Sequence, residues 1–348
     1  MVRAAALAIR GSATALPNPV VGCVLLDPTG NVIGEGWHRG PGLPHAEVVA
    51  LLDAGAAARG ATAVVTLEPC THTGRQGPCT RALVDAGVAR VVVGASDPWP
   101  PASGGAAELR AAGVDVETGV AVDAAEGVNR PWLTAVRLGR PFVTWKVATT
   151  LDGRVAAVDG TSRWITGAAA RADVHRLRGE CDVVLAGIGT VLADDPQLTV
   201  RQPDGVPLSR QPLRVVADSL GRTPATARVR DDVAPTWIAT AAELGAHPSG
   251  RLDLAALLGA VFEQNRRHVL LEGGPRLAAA MVAANLVDRV VSYVAPALLG
   301  AGPSALADIG VTSVAAAPRW RLSEAAPVGD DVRLTLDRLS GEPAAPAL

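Results

Sequence analysis

The sequence predicts an α/β protein of two domains, and three observations carry that prediction. Short apolar, β-branched runs alternate with helical stretches from residue 20 to residue 117, a pattern that implies a largely parallel sheet covered by helices. The same alternation restarts after residue 140. Between the two blocks, residues 121–138 read as a helix leading away from the first unit, and the apolar run 141–148 begins a new one, so the boundary falls near residue 140. The 348 residues give room for two cores of ordinary size.

Taken in order, residues 2–10 form a short helix that Pro17-Asn18-Pro19 breaks before a strand at 20–26. Asp27-Pro28-Thr29-Gly30-Asn31 is hairpin-turn chemistry leading into a strand at 32–37. A helix starts near His45 and runs to about Ala58. The strand 62–67 then delivers Glu68-Pro69-Cys70 at its carboxyl end, where open α/β sheets place their active sites. A helix at 79–86, a strand at 90–95, a helix at 106–112 and a strand at 114–117 complete the first block. The second block reads as strand 141–148, helix 168–178, strands 182–186, 213–218 and 236–239, helix 252–264, strand 269–272, helix 276–285 and strand 289–295. Residues 341–348, rich in Pro and Ala, read as a frayed tail, and Met1 falls inside the first expected helix, as a shortened or misassigned start would place it.

The net charge of −2 offers no electrostatic reason to expect nucleic acid or an anionic membrane as a partner. No run of eighteen apolar residues appears, and the positive mean hydropathy comes mainly from alanine. The stretch 4–9 is too short and too closely flanked by Arg3 and Arg10 for a secretory signal. Four cysteines in so long a chain suggest a reducing compartment without a disulfide framework, hence a cytoplasmic protein; Cys23 and Cys181 read as core residues. The sequence leaves oligomeric state open and is compatible with a homo-oligomer.

The chemistry of the first block centres on His45-Ala46-Glu47, followed by Pro69-Cys70 and Pro78-Cys79. A zinc ion that performs hydrolysis takes three protein ligands and keeps a fourth position for water, and His45, Cys70 and Cys79 supply that number. Glu47 is placed to carry protons from that water to a ring nitrogen and then to departing ammonia, as in zinc deaminases with His-x-Glu. The spacing departs from Pro-Cys-x-x-Cys, because eight residues, 71–78, separate the cysteines. Gly74, Gln76-Gly77 and Pro78 supply turn chemistry for the longer loop, and Cys79 opens a helix whose free N–H groups favour a thiolate. The competing readings are a structural zinc closed by His72, or two unrelated buried thiols.

At this point the order of motifs resembles the bifunctional deaminase–reductase family of riboflavin biosynthesis over nearly the whole chain. The first half carries Pro17-Asn18-Pro19 with Val21-Gly22-Cys23, His45-Ala46-Glu47-Val48, Thr66-Leu67-Glu68-Pro69-Cys70, and residues 72–75 before Pro78-Cys79. The second carries Lys146, Thr150-Leu151-Asp152-Gly153-Arg154, Trp164-Ile165-Thr166, residues 190–201, Asp218-Ser219 and Glu272-Gly273-Gly274-Pro275.

The resemblance implies a cytidine-deaminase-like three-layer sandwich over residues 1–140, a zinc-dependent pyrimidine deaminase domain. It implies a dihydrofolate-reductase-like domain over residues 141–348, an NADPH-dependent reductase. The implied activity is hydrolytic deamination of 2,5-diamino-6-(5-phosphoribosylamino)pyrimidin-4-one, followed by NADPH reduction of the ribosyl chain to ribityl. Carried over residue by residue, the cofactor positions fall on Thr149, Trp164, Thr190, Asp194, Ser219 and Gly274, Pro275, Arg276, Leu277, Ala278, Ala279 and Ala280. The substrate positions fall on Ser162, Arg178, Leu198, Arg201 and Glu272.

Arg178 and Arg201 suit a sugar phosphate, since guanidinium presents a planar fork of donors; each alone reads first as a solvated surface charge. Gly273-Gly274-Pro275 lies between a strand and a helix, where bare N–H groups can approach cofactor phosphates, although a Gly pair there also makes an ordinary turn. Gly187-Ile188-Gly189 lacks the third glycine of a Rossmann fingerprint. Lys146 reads either as a group that polarises the ring-opened sugar or as a strand-end lysine reaching solvent, and Asp152 and Asp195 as turn or cap residues.

The chain departs from the family at Asp97-Pro98-Trp99-Pro100, where Asp-Pro-Asn-Pro is usual, and at Ser103-Gly104-Gly105, which lacks the arginine of Gly-Arg-Gly. The change bears on substrate grip more than on zinc. It keeps open a working reductase with an impaired or re-targeted deaminase, and a non-catalytic zinc-stabilised binding module. Glu47 discriminates against the module, because a purely structural site needs no carboxylate there.

Overall fold

The turn Asp27-Pro28-Thr29-Gly30-Asn31 decides the direction of the first strands. The Asp27 carboxylate accepts the Thr29 and Asn31 N–H groups at 2.8 and 2.9 Å, closing a hairpin between β1 (Gly22–Leu26) and β2 (Val32–Trp37) once helix α1 (Val2–Ile9) has packed on β1. The structure, a computed structural model, describes residues 1–73 and 77–339. The turn residues Gly74 and Gln76, the motif residue Arg75 and the tail at 341–348 lie outside the described residues. The chain divides into two units, Met1–Gly139 and Arg140–Leu348.

In the first unit, helix α2 (Ala46–Ala54) tightens into a 3₁₀ turn at Gly55–Ala58 and returns the chain to β3 (Thr62–Leu67). Helix α3 (Cys79–Asp85), β4 (Arg90–Ala95), α4 (Gly105–Ala111), β5 (Asp115–Thr118) and α5 (Val122–Leu138) follow. The sheet order is β2-β1-β3-β4-β5. Only β3, β4 and β5 run parallel; β1 is antiparallel to both β2 and β3. The expectation of a largely parallel sheet is therefore corrected to a mixed one. A tight turn cannot join parallel strands, and the α2 crossover carries β3 past β1 to run the same way as β2.

Two cores flank the sheet. Cys23, Leu25, Ala63, Val65, Val91 and Val93 pack under α2, α3 and α4, whereas Val24 clusters with Ala4 and Leu7 of α1, and Leu67 and Ala95, at the carboxyl ends of β3 and β4, with Ala125 and Leu133 of α5, which makes three layers. Glycine sets the closeness of these layers. A Cβ on Gly36 would lie 2.2 Å from the Ala46 carbonyl oxygen, and one on Gly34 2.4 Å from that of Ala50, so α2 rests on bare β2 backbone.

The second unit opens with β6 (Phe142–Thr150), α6 (Ala168–Gly179), β7 (Val183–Gly187), α7 (Ile188–Asp194), β8 (Leu213–Ala217) and β9 (Thr236–Ala239). It continues with the single turn α8 (Ala241–Leu244), then α9 (Leu254–Glu263), β10 (His268–Leu271), α10 (Pro275–Ala283) and β11 (Arg289–Ala295). It ends on a hairpin of β12 (Trp320–Val328) and β13 (Asp331–Arg338). The eight strands lie in the order β12-β13-β11-β6-β10-β7-β8-β9, with the hairpin antiparallel on an otherwise parallel sheet. The hairpin and the short α7 were not expected from the sequence. Val143, Val183, Leu185, Val215, Val269 and Leu271 form the core with α9 and α10. Among the described residues, no helix is long and apolar enough to cross a membrane.

Candidate active sites

Three element ends meet at the first site. His45 is the residue on which α2 begins, Cys70 follows the carboxyl end of β3, and Cys79 is the first residue of α3. Their ligating atoms lie within 4.8 Å of one another, with His45 Nδ1 3.2 Å from Cys79 Sγ and 3.6 Å from Cys70 Sγ. Zinc bonds of about 2.3 Å to sulfur and 2.0 Å to nitrogen, at a tetrahedral angle, separate ligand atoms by roughly 3.6 Å, so the three side chains fit the ion. No other His, Cys, Asp or Glu among the described residues joins the group. His72, the candidate fourth ligand, instead sets its ring edge-on to Trp99 at 5.5 Å.

The electrostatics suit a cation. The Cys79 thiol bonds to Cys70, which together with His45 holds Cys70 down at about 4 and pushes Cys79 up. Hydrogen bonding to Cys70 in turn raises His45. Glu47, on the first turn of α2, is 3% exposed; burial pushes its carboxyl up to about 7, against the charge of His45. It is thus a carboxyl able to take up and release a proton near neutrality beside the two sulfurs.

A second ring of contacts escaped the sequence reading. The Asn18 amide nitrogen lies 3.1 Å from His38 Nε2, and the His38 ring stands edge-on to His45 at 5.3 Å, so Pro17-Asn18-Pro19 acts on the metal ligand through His38. Glu68 accepts the Asp97 N–H at 3.2 Å and the Ala106 N–H at 2.9 Å. Burial pushes the Asp97 carboxyl up to about 6 although it accepts the Trp99 N–H.

The second unit holds a cavity of about 2690 Å³, more than one drug-sized ligand fills. Ser162, Arg178, Leu198, Arg201 and Glu272 line it, as do Trp164, Thr190, Asp194, Ser219, Gly274, Pro275, Arg276, Leu277 and Ala280. Thr149, Ala278 and Ala279 do not; they are 6%, 0% and 5% exposed, and the helical period that turns Leu277 and Ala280 to the cavity turns Ala278 into the core. Among the described residues the wall carries ten Lys and Arg side chains against three Asp and Glu, in a chain of net charge −2.

Two groups on this wall already have partners within the chain. Arg178 Nε and Nη2 grip both Glu272 oxygens, Nη2 at 2.9 Å, and Nη1 donates to the Thr199 carbonyl at 2.9 Å. The partner lies on another element, out of reach of sequence reasoning. The Gly274 N–H is likewise committed, to Thr190 Oγ1 at 3.1 Å. Lys146 sits on β6 next to Glu272, since Trp145 pairs with Leu271; burial lowers its pKa against the pull of Glu272. Asp195 ends α7 and Asp152 accepts the Leu299 and Gly300 N–H groups, so both act as cap and turn residues.

Comparison with known proteins covers both units. Residues 1–95 match the cytidine and deoxycytidylate deaminase zinc-binding region, and residues 141–334 the RibD C-terminal domain. The riboflavin biosynthesis protein RibD of Mycobacterium tuberculosis is 46% identical over 93% of this chain and 92% of its own length. That of Escherichia coli is 42% identical over 97% and 98%. The structure of Acinetobacter baumannii RibD superposes with a TM-score of 0.87 at 41% identity, covering 97% of each chain. A Thermotoga maritima deaminase/reductase gives a TM-score of 0.86 at 33% identity, again over 97% of each.

Fold and sites thus define a deaminase joined in one chain to a reductase, the first using zinc and the second NADPH. The chain belongs to the RibD family, the bifunctional deaminase–reductases of riboflavin biosynthesis. The matches span both halves, and none favours an impaired first domain.

Proposed function

We propose that residues 1–140 deaminate 2,5-diamino-6-(5-phosphoribosylamino)pyrimidin-4-one, with zinc on His45, Cys70 and Cys79, and that residues 141–348 reduce the resulting aminouracil's ribosyl chain. One observation carries the first half: three ligand atoms within 4.8 Å with a buried carboxyl, Glu47, alongside. The ion, when bound, supplies a Lewis acid that makes water nucleophilic near neutral pH. Glu47 would take the first proton from that water to the ring nitrogen as the carbon–oxygen bond forms, and then carry the second, from the hydroxyl left on that carbon, to the amino group, which leaves as ammonia as the carbon–nitrogen bond breaks. His38 and Asn18 hold the His45 ring in place.

In the second half, Trp164, Thr190, Asp194, Ser219, Gly274, Pro275, Arg276, Leu277 and Ala280 form the NADPH side of the cavity, and Ser162, Arg178, Leu198, Arg201 and Glu272 the sugar side. Glu272 and Arg178 hold each other and set Lys146 at the carboxyl end of the sheet. Burial lowers the cost of Lys146 giving up a proton, so its ammonium is suited to protonate the sugar ring oxygen as that oxygen leaves C1′; NADPH, when bound, would supply the hydride. Four free cysteines, all buried, suit a reducing compartment, and we place the enzyme in the cytoplasm.

A coupled assay that follows ammonia and nicotinamide absorbance separately tests the division of labour. Glu47→Gln should retain zinc and lose on the order of 10²- to 10⁴-fold in ammonia release, while reduction of pre-deaminated substrate continues unchanged. Ammonia release at the wild-type rate would remove Glu47 from the mechanism.

A further inference from the structure

Trp164, on the NADPH side of the cavity, is a large apolar side chain left 69% exposed. Charge holds it there as much as packing. Arg171, in the first turn of α6, sets its guanidinium carbon 4.4 Å from the centre of the indole ring and donates from Nη1 to the Thr166 carbonyl at 2.8 Å. Arg163, the residue before Trp164, donates to the Asp194 carbonyl at 2.7 Å and ties the strap to the end of α7. The start of α6 is fixed in turn, since the Gly167 N–H donates to the buried Asp331 carboxylate at 2.7 Å. The indole thus stands as a plate with a guanidinium on one face and the rest of the ring open to the cavity.

The charge under the plate is not cancelled. Arg171 makes no ion pair among the described residues, and it lines the same cavity as Trp164. Either face of an indole is a negative pole of its quadrupole and attracts cations. A guanidinium seated on one face makes the opposite face a poor place for a second cation. Nicotinamide is neutral when reduced and carries a positive charge on its ring when oxidised. A ring stacked on the open face would lie roughly 8–9 Å from the guanidinium carbon, where like charges in surroundings of effective dielectric about 20–80 oppose binding by about 2- to 20-fold.

We propose that Arg171, which the family resemblance does not assign, is a positioning residue for the reductase. It holds Trp164 against the nicotinamide ring and makes that seat prefer the reduced cofactor to the oxidised one, so that the spent cofactor leaves. The inference rests on the reading that Trp164 belongs to the NADPH side of the cavity. The nicotinamide end is favoured over the adenine end because Ser162, on the sugar side, lies two residues from Trp164 on the same strap, and hydride passes where sugar and cofactor meet.

The test is calorimetric binding of NADPH and of NADP⁺ to the full-length protein, as wild type and carrying Arg171→Met, Arg171→Gln, Arg171→Lys or Trp164→Leu, with product inhibition by NADP⁺ measured alongside. Arg171→Met and Arg171→Gln keep a stem on the indole without its charge. Each should shrink the preference for NADPH over NADP⁺ by about 2- to 20-fold, and lower the inhibition constant of NADP⁺ relative to KM for NADPH by a similar factor. Arg171→Lys, which keeps the charge, should hold the wild-type ratio. A loosened strap, or contact with the adenine end, would weaken both cofactors equally in the uncharged variants; that result, or a ratio unchanged or widened, would overturn the proposal. An unchanged Kd for NADPH in Trp164→Leu would remove the plate from the cofactor and overturn it as well. If the wild-type protein binds neither NADPH nor NADP⁺, the parent reading falls and takes this one with it.

Discussion

Replacing Arg178 by Met removes a cation and three hydrogen bonds from a site where the two partner side chains are 15% and 10% exposed. The Glu272 carboxylate is then left buried with Lys146 and His175 as the remaining groups whose charge can reach it. Breaking a buried pair from one side costs about 3–5 kcal/mol, because the remaining charge is desolvated without compensation. In a unit of this length each kcal/mol moves Tm by about 2–4 °C, so Arg178→Met should unfold about 6–20 °C lower. Lys146 keeps the loss towards the lower end, and Arg178→Met combined with Glu272→Leu should recover most of it.

The pH dependence has a definite sign. Burial alone would push Glu272 up, but the charge and hydrogen bonds of Arg178, with Lys146, hold it below the ordinary value of 4.5. A depressed folded pKa contributes stability that is full above the unfolded value and is lost as pH falls through the folded one. The gap between wild type and Arg178→Met should therefore be widest at neutrality and narrow as pH falls below the ordinary carboxylate range. Calorimetry of the full chain measures it, following the transition that NADPH shifts upward. Unfolding of Arg178→Met within about 1 kcal/mol of wild type would refute this reasoning and show the pair to be no more stabilising than a surface one.

Other outcomes follow from burial and packing. Burial, with the charge of Arg289, depresses His268 from 6.5 to about 4, so stability should fall between pH 6.5 and 4 by about 3 kcal/mol. His268→Asn should flatten that slope, and an unchanged slope would absolve His268. Gly36→Ala puts a methyl 2.2 Å from the Ala46 carbonyl oxygen and must displace α2, which carries His45 and Glu47. We expect a loss of about 1–3 kcal/mol together with weaker zinc retention, read by denaturant titration and metal analysis; full zinc occupancy with normal ammonia release would show that α2 tolerates the shift.

The metal site was legible because its residues cluster within a few turns of sequence: the strand end at Glu68-Pro69-Cys70 and the helix starts at His45 and Cys79 fall where the apolar pattern puts them. What escaped was longer in range or weaker in pattern. The Glu272 partner of Arg178 lies 94 residues away, where no local pattern points to it. The alternation of Val332, Leu334 and Leu336 in β13 could have been read, but β12 is exposed along most of its length and shows no such pattern. The hairpin at Asp27 was legible, but the alternating pattern does not reveal that β3 enters the sheet beside β1 and antiparallel to it, so parallel direction was over-predicted. Ala278 and Ala279 were swept in with a contiguous loop, although a helix shows only part of its circumference to a ligand.

Glu68 gives the first unit a separable part. Its carboxylate fastens both ends of the segment from Asp97 to Ala106 through main-chain N–H groups, which are the same whatever side chains lie between. Residues 98–103, where this chain carries Trp99 instead of asparagine, can thus drift in sequence while their endpoints stay moored to the strand that presents Cys70. The enzyme has in effect an exchangeable insert beside a permanent metal seat, and grafting that insert from a relative should retune pyrimidine choice and leave the ion where it is.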